Sequence, residues 1–539
     1  MDVEAFRKAG YQAIDRICDF YYSLQERPVV PPVQPGYLLK QLPGKHEDAP
    51  PEEGEDWNVI ADDYQKLILP GLTFWQHPNF YAYFPTACTF EGMLGDLYST
   101  STPNPGFNWT SSPACTELEM AMMDWCARLF GLADHFLNSS GTGGGVIQTT
   151  SSDSALVVTV AARSQYTRRH PDAKLEDLVL YVTSQTHSLG VKASLVLGLQ
   201  CRILDVKPED EYALRGETLR AALEEDVARG KRPFFLIGTV GTTSSGAIDH
   251  LEEIGEVLKD YPDVWLHVDA AWAGVTLACP EYRDVSRLKD INTYATSVGT
   301  NLHKWGLVNF DAALLWVRSR TDLTDALDVT PEFLRTKQSE AGAVIDYRNW
   351  HLGLGRRFRS LKVWFVLRSY GVKGFQAYIR RCIELNEYFA SLVKTSPSLA
   401  LVTQPSFALT VFRVVAEVTR GEGKVHRHRT DDAANPLGLL NAISMTFAKE
   451  AAARGDAPPY LVVLSSSPSM QTAESTSVVL VFGADEAKVK EVGDMLKTKL
   501  NAKGGGKGRW SGKFTGVWRE KESKVVDEAL ASLIGGVSV

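Results

Sequence analysis

Apolar positions at the start of the chain recur at helical spacing. Between Ala5 and Leu24, residues Ile14, Ile17, Phe20, Tyr21 and Leu24 fall along one side of a predicted helix. The stretch Pro28 to Gly36 predicts extended chain, because each proline disfavours helix at the residue before it. A second helix is expected from Trp57 to Ile68, stopped by Pro70-Gly71. A two-helix arm over residues 1–75 has apolar faces to cover. That points to a second copy of the chain, with packing on its own chain as the alternative.

Between residues 76 and 370 the pattern changes. Short apolar runs alternate with helical stretches: Asp177 to Val182, Pro233 to Val240, Val264 to Val268 and Ala312 to Val317. Continuous apolar strands spaced by helices predict an α/β fold whose mostly parallel sheet is covered on both faces. From 371 to 539 helix and strand mix in a smaller α+β domain. Within it, the polar stretch Glu417 to Asn435 predicts a loop, and Asn501 to Gly508 a flexible basic linker. A last amphipathic helix is expected over Glu520 to Leu533.

Composition narrows the classes. A chain of 539 residues exceeds one small core. With 44% hydrophobic and 23% charged residues it fits a soluble globular protein. A net charge of −8 lacks the basic balance that nucleic-acid phosphates demand. No run of eighteen apolar residues predicts a membrane span. The mixed, acidic start Met1 to Arg7 does not read as a signal peptide. Seven cysteines without CxxC spacing read as reduced thiols in a cytoplasmic protein, with no metal site.

Candidate chemistry begins at Gly141-Thr142-Gly143-Gly144-Gly145, which leads through Ser151 and Ser152 into an apolar helical stretch from Ala155 to Ala162. A Gly/Ser/Thr loop opening a helix offers N–H groups and hydroxyls to a phosphate, though such a loop can also be merely flexible. It is not a Walker loop, since no GK[ST] follows. Asp269 closes the run Val264 to Val268, where open α/β sheets bind ligands, and small residues Ala270, Ala271, Ala273 and Gly274 leave room for a ring. A helix N-cap is the plainer role. Lys304, in His303-Lys304-Trp305, sits in apolar sequence where a desolvated amine becomes nucleophilic; a solvated surface lysine is the common alternative. His187 also ends a strand, where it could stack on a ring, shuttle a proton or serve structure alone. Together the loop, the aspartate and the lysine point to pyridoxal phosphate: the lysine as Schiff-base partner, the aspartate on the ring nitrogen.

The motifs then match a family. His77-Pro78-Asn79-Phe80-Tyr81-Ala82-Tyr83-Phe84-Pro85, Ser112 to Glu119, His267-Val268-Asp269-Ala270-Ala271, His303-Lys304-Trp305 and Leu354 to Ser360 resemble the group II, pyridoxal-phosphate-dependent aromatic L-amino acid decarboxylases. The resemblance runs from Phe6 to about Val414. It implies the aspartate-aminotransferase-like fold (fold type I) with a seven-stranded, mostly parallel sheet, and a homodimer acting on an aromatic amino acid. It further implies that Lys304 carries the cofactor, Asp269 pairs with its ring nitrogen and His187 stacks on its face. Ser151, Ser152, Asn301 and His303 would surround the phosphate, with Thr243 and Ala271 flanking. Trp75, Tyr83, Phe84, Pro85, Thr86 and Phe107 would line the substrate pocket.

Two positions bear on the outcome. Phe333 stands where the family carries a loop tyrosine that protonates Cα after CO2 leaves; the same change accompanies oxidative aldehyde formation in some members. Gly355 enlarges the implied pocket and favours indolic substrates, tryptophan first. The reading places decarboxylation to an arylalkylamine first. An aromatic acetaldehyde synthase is the second reading, and a non-catalytic cofactor-binding protein the third. The chain departs from the family beyond about residue 415.

Overall fold

The computed structural model describes residues 1–42, 50–81, 83–396, 399–414, 461–466, 476–483, 486–500, 503–505 and 509–515. Seven strands build the central sheet: β1 (Gly144–Gln148), β2 (Leu178–Thr183), β3 (Gln200–Leu204), β4 (Arg232–Thr239), β5 (Trp265–Asp269), β6 (Ser297–Asn301) and β7 (Ala313–Val317). Their order is β1-β7-β6-β5-β4-β2-β3. Strands β3, β2, β4, β5 and β6 run parallel, while β7 is antiparallel to both β6 and β1. This is the mostly parallel, seven-stranded α/β sheet of fold type I that the sequence implies.

Burial explains why the strands read as apolar runs rather than alternations. Every residue of β1, β2, β5, β6 and β7 is buried, since helices cover both faces. The edge strand β3 is largely uncovered, with Leu204 its one buried residue. The helix Ser151–Arg169 lies on the sheet and joins its core through Ala155, Val158 and Ala162.

The glycine-rich segment departs from its sequence reading. Gly144–Gln148 is strand β1 rather than loop, and the helix begins at Ser151, ahead of the apolar run at Ala155. Gly145 belongs in the strand because a Cβ there would lie 2.5 Å from Met123 and 2.6 Å from Trp316. Close approach of neighbours, not flexibility, accounts for that glycine.

The N-terminal helix spans Val3–Tyr22 and is capped by Asp2, whose carboxylate accepts the Ala5 N–H at 2.7 Å. Leu24, Leu69 and Phe74 anchor its C-terminal end with Phe20 and Tyr21, and the Arg27 guanidinium lies 5.3 Å from the Phe20 ring centroid. Ala9 is the helix's one buried residue. The second helix, Trp57–Asp63, continues as a π turn to Ile68 before Pro70 breaks it.

Two compact units divide the chain: Met1–Glu384 with Ser406–Ala408, and Leu385–Pro405 with the described residues from Leu409 onward. In the second, strands Leu461–Ser466, Thr476–Gly483, Lys503–Gly505 and Arg509–Thr515 form an antiparallel sheet, and the helix Glu486–Lys499 packs on it. Lys503–Gly505 is thus a strand paired with Ser511–Lys513, not part of a free linker. The expected loop at 417–435 and helix at 520–533 lie outside the described residues.

Candidate functional site

Strands β4, β5 and β6 end at the same edge of the sheet, with Thr239 beside Asp269 and Asp269 beside Gly299. Ligands of open α/β sheets bind outside such carboxyl ends. A small cleft opens there. Ser151, His187, Leu189, Thr239, Gly241, Thr243, Asp269, Ala271, Trp272 and Lys304 line it.

Lys304 is presented by the short helix Leu302–Trp305 that follows β6 directly. Leu302 and Trp305 are buried on either side, which fixes the turn and turns Lys304 toward the cleft. Burial pushes its amine below the ordinary lysine value, opposed by the Asp269 carboxylate. Its Nζ stands 5.4 Å from the Phe84 ring centroid. His303 braces the same turn: its Nδ1 accepts the Ala312 N–H at 2.9 Å, and its carbonyl accepts from Ala87 at 2.9 Å. Burial, then the Lys304 charge, drives the His303 imidazole down to about 4, so it stays neutral near pH 7.

Asp269 closes β5 and is 4% exposed. Its Oδ1 accepts the Ala271 N–H at 3.0 Å, which fixes the carboxylate's direction. His187 follows β2 on the facing side, with Nδ1 accepting the Leu189 N–H at 3.3 Å. Thr150 caps the helix Ser151–Arg169 in a reciprocal capping box with Asp153. That box and the Thr150 carbonyl engage the N–H groups of Asp153 and Ser154, leaving those of Ser151 and Ser152 to face a ligand. The Ser151 hydroxyl donates to Asn301 Oδ1 at 2.7 Å and ties this helix start to the end of β6.

The donor set fits pyridoxal phosphate. A depressed lysine amine suits its aldehyde, a fixed carboxylate its ring nitrogen, and a helix N-terminus its phosphate. Two buried polar atoms of the lining, Thr239 Oγ1 and Trp272 Nε1, have no protein partner. Among the described residues no His/Cys/Asp/Glu group could hold a metal ion.

Of the residues singled out from sequence, Ser151, His187, Thr243, Asp269, Ala271 and Lys304 line the cleft together. Asn301 and Phe84 touch its lining through the contacts above, His303 precedes Lys304 on the same turn, and Ser152 is half-buried beside Ser151. The others lie outside it in this single chain. Trp75 stacks on Tyr83 at 5.5 Å, and Tyr83 is largely exposed. Pro85 is exposed, Thr86 and Phe107 are half-buried, and the Phe107 carbonyl accepts from Arg348 at 2.9 Å. Gly355 is exposed, and a Cβ there would meet nothing within 4 Å. Phe333 is 80% exposed on the turn Glu332–Leu334.

Sequence reasoning missed Leu189, Thr239, Gly241 and Trp272. Thr239 carried a usable signal, because it is a polar residue near the end of an apolar run, as Asp269 is. Gly241 has a φ of +80°, and a Cβ there would lie 2.6 Å from Ala273, so glycine is needed for both conformation and space. Single-sequence pattern carries no sign of that approach.

Comparison with known proteins agrees with this chemistry. The pyridoxal-dependent decarboxylase conserved domain matches residues 35–415. A phenylacetaldehyde synthase from Arabidopsis thaliana is 44% identical over 445 residues, covering 82% of this chain and 89% of that protein. Tryptophan decarboxylase 2 from Oryza sativa subsp. japonica is 42% identical over 444 residues, covering 82% and 88%. The crystal structure of Oryza sativa TDC with PLP and tryptamine superposes with a TM-score of 0.74 at 29% identity, covering 99% of each chain.

Proposed function

This chain belongs to the pyridoxal-phosphate-dependent group II aromatic amino-acid decarboxylases, and from that premise we propose that it converts an aromatic L-amino acid, tryptophan first, to the arylalkylamine and CO2. The observation that carries the reading is the cleft where Lys304, Asp269 and His187 meet at the carboxyl ends of the strands. Bound pyridoxal phosphate supplies an electron sink for the pair left when the Cα–carboxylate bond breaks. Lys304 would hold the cofactor through its amine. Asp269, directed by the Ala271 N–H, would hold the ring-nitrogen proton. His187 supplies the proton to Cα from its place in the cleft, and Phe84 and Trp272 form apolar walls that exclude water. Supporting tryptophan, position 355 is a glycine, and the Oryza relative is named for that substrate.

A second reading rests on Phe333 and on the phenylacetaldehyde synthase relative. Phenylalanine offers no ionisable proton, so O2 would accept the electrons instead. Amino acid, O2 and water would then yield arylacetaldehyde, CO2, ammonia and hydrogen peroxide. A product-resolved assay with tryptophan, tyrosine and phenylalanine decides: amine equal to CO2 supports the first reading, and aldehyde with peroxide equal to CO2 the second. If the second holds, Phe333→Tyr shifts product from aldehyde to amine; an unmoved ratio removes Phe333 from the explanation.

We also infer a cytoplasmic homodimer, with residues 1–75 as its arm, 76–370 as the cofactor domain and 371–539 as the smaller domain. Phe6, Tyr11, Ile14 and Ile17 are exposed on the N-terminal helix, and an uncovered apolar stripe of that length suits a partner copy. All seven cysteines are free thiols, in keeping with a reducing compartment.

A further inference from the structure

Pyridoxal phosphate carries its phosphate and its aldehyde at fixed positions on one flat ring. A protein that grips both groups must hold two anchors at a set spacing. Here the anchors come from remote parts of the chain: the helix start at Ser151, and Lys304 on the turn after β6. One tie between them is the Ser151 hydroxyl on Asn301 Oδ1. A second runs through Arg359, which stands at the start of the kinked helix Arg359–Thr395, outside the lining of the cleft.

The Arg359 guanidinium donates in two directions. Its Nε bonds Asp311 Oδ2 at 2.8 Å, and its Nη2 bonds Thr149 Oγ1 at 3.1 Å. The Asp311 side chain is 4% exposed, and Arg357 Nη1 donates to its other oxygen at 3.4 Å. Asp311 leads directly into Ala312, which is bonded twice to the lysine turn. The Ala312 N–H donates to His303 Nδ1 at 2.9 Å, and its carbonyl accepts the Leu302 N–H at 3.0 Å. At the other end, Thr149 adjoins Thr150, the cap that orders the helix start. A path of bonds therefore runs from Thr149 through Arg359 and Asp311 to the residues just before Lys304. A guanidinium suits this span, because its N–H groups leave a planar fork at fixed angles, whereas an ammonium is a point donor. The surrounding cluster also holds a surplus positive charge: Arg357, Arg359 and Lys362 face the carboxylates of Asp96 and Asp311.

We propose that Arg359 is a positioning residue that sets the spacing between the helix start at Ser151 and Lys304, by bridging Thr149 to Asp311. Its span matters more than its charge. Without the bridge, the Thr149–Ser152 segment and the lysine turn can shift relative to each other. A ligand that needs both anchors then loses affinity, and a ligand that needs Lys304 without the helix start does not. The inference rests on the reading of Lys304 and the Ser151 helix start as the cofactor's two anchors.

The test uses full-length protein and compares its affinity for pyridoxal phosphate with that for pyridoxal, which keeps the aldehyde and lacks the phosphate. Wild type is expected to favour pyridoxal phosphate strongly. Arg359→Ala is expected to cut that preference about tenfold while leaving pyridoxal affinity unchanged. Arg359→Lys keeps the charge but cannot reach both partners, and is expected to recover little of the loss. Thr149→Val keeps every charge and is expected to lower the preference several-fold, with little further effect on the Arg359→Ala background. If wild type binds both ligands equally, the phosphate anchor fails and this inference with it. A strong wild-type preference that Arg359→Ala does not move leaves Arg359 without the role. Equal weakening of both ligands by Arg359→Ala reduces it to general support of the fold and overturns the proposal. Full recovery by Arg359→Lys makes charge the cause and overturns the span. Should Arg359→Ala fail to fold, Thr149→Val carries the test, and a wild-type preference in that variant overturns the proposal.

Discussion

At the level of single residues, the site depends on how burial treats each titratable group. Lys304 and His303 are neighbours, yet the proposed reading asks one to act as an amine nucleophile and the other to stay a neutral brace. Burial pushes both toward their uncharged forms. Lys304→Ala is expected to lower CO2 release at least about a thousandfold, equivalent to about 4 kcal/mol of barrier. It should also abolish the absorbance of the lysine-linked cofactor; retention of either property removes Lys304 from its role. Gly355→Ser is expected to leave the melting temperature unchanged, because its Cβ meets open space, and to lower the preference for tryptophan over tyrosine in kcat/KM. Lys304, Asp269 and His187 were legible because unlike residues at strand ends stood out from apolar sequence. Thr239, Gly241 and Trp272 were not, because a threonine, a glycine and a tryptophan are ordinary in any fold until a neighbour is placed beside them.

Among the elements, the helix Ser151–Arg169 connects local capping to ligand binding. Its capping box satisfies the third N–H of the first turn and leaves the first two for an anion. Thr150→Ala removes that cap at a cost of about 1 kcal/mol of stability. Urea unfolding should read this loss, and cofactor affinity should weaken with it, because the helix start proposed to hold the phosphate would fray. Unchanged affinity would place the phosphate elsewhere. Sequence pattern located four strands from their apolar runs, but β1, β3 and β6 escaped it. β1 contains Gly144 and Gly145 and reads as a turn; β3 is an edge with polar Gln200 and Arg202; β6 carries Ser297, Gly299, Thr300 and Asn301. Their pairing partners, rather than their own propensity, make them strands. The Arg359 bridge was hidden for the same reason, since it exists only once Thr149 and Asp311 stand beside it.

For the whole molecule, buried histidines predict acid sensitivity. His267 and His303 are both driven to about 4 by burial, below the ordinary 6.5. A folded pKa below the unfolded one favours the neutral form on folding. Their contribution is complete above about pH 6.5 and is lost as pH falls toward 4, by about 3 kcal/mol each at full titration. Asp249 opposes them: burial raises its carboxyl to about 6, so its contribution is lost as pH rises between about 4 and 6. The two histidines outweigh the one aspartate, so denaturant unfolding should show lower stability at pH 5 than at pH 7.5; equal stability contradicts the burial of the histidines. The exposed stripe on the N-terminal helix makes a separate prediction. Sedimentation should give a dimer, and Ile14→Glu with Ile17→Glu should shift it toward monomer; a monomeric wild type contradicts the arm's role. The arm and the α/β class were readable from periodicity, whereas the path of the chain beyond about residue 415 was not, because short strands mixed with polar stretches leave no sustained period. The central claim is aromatic decarboxylation at the Lys304–Asp269 cleft. It is tested most directly by measuring CO2 and amine together from tryptophan, tyrosine and phenylalanine with the cofactor-loaded protein. The account predicts CO2 release, fastest with tryptophan, matched by an equal amount of amine. Absence of CO2 from all three would contradict it.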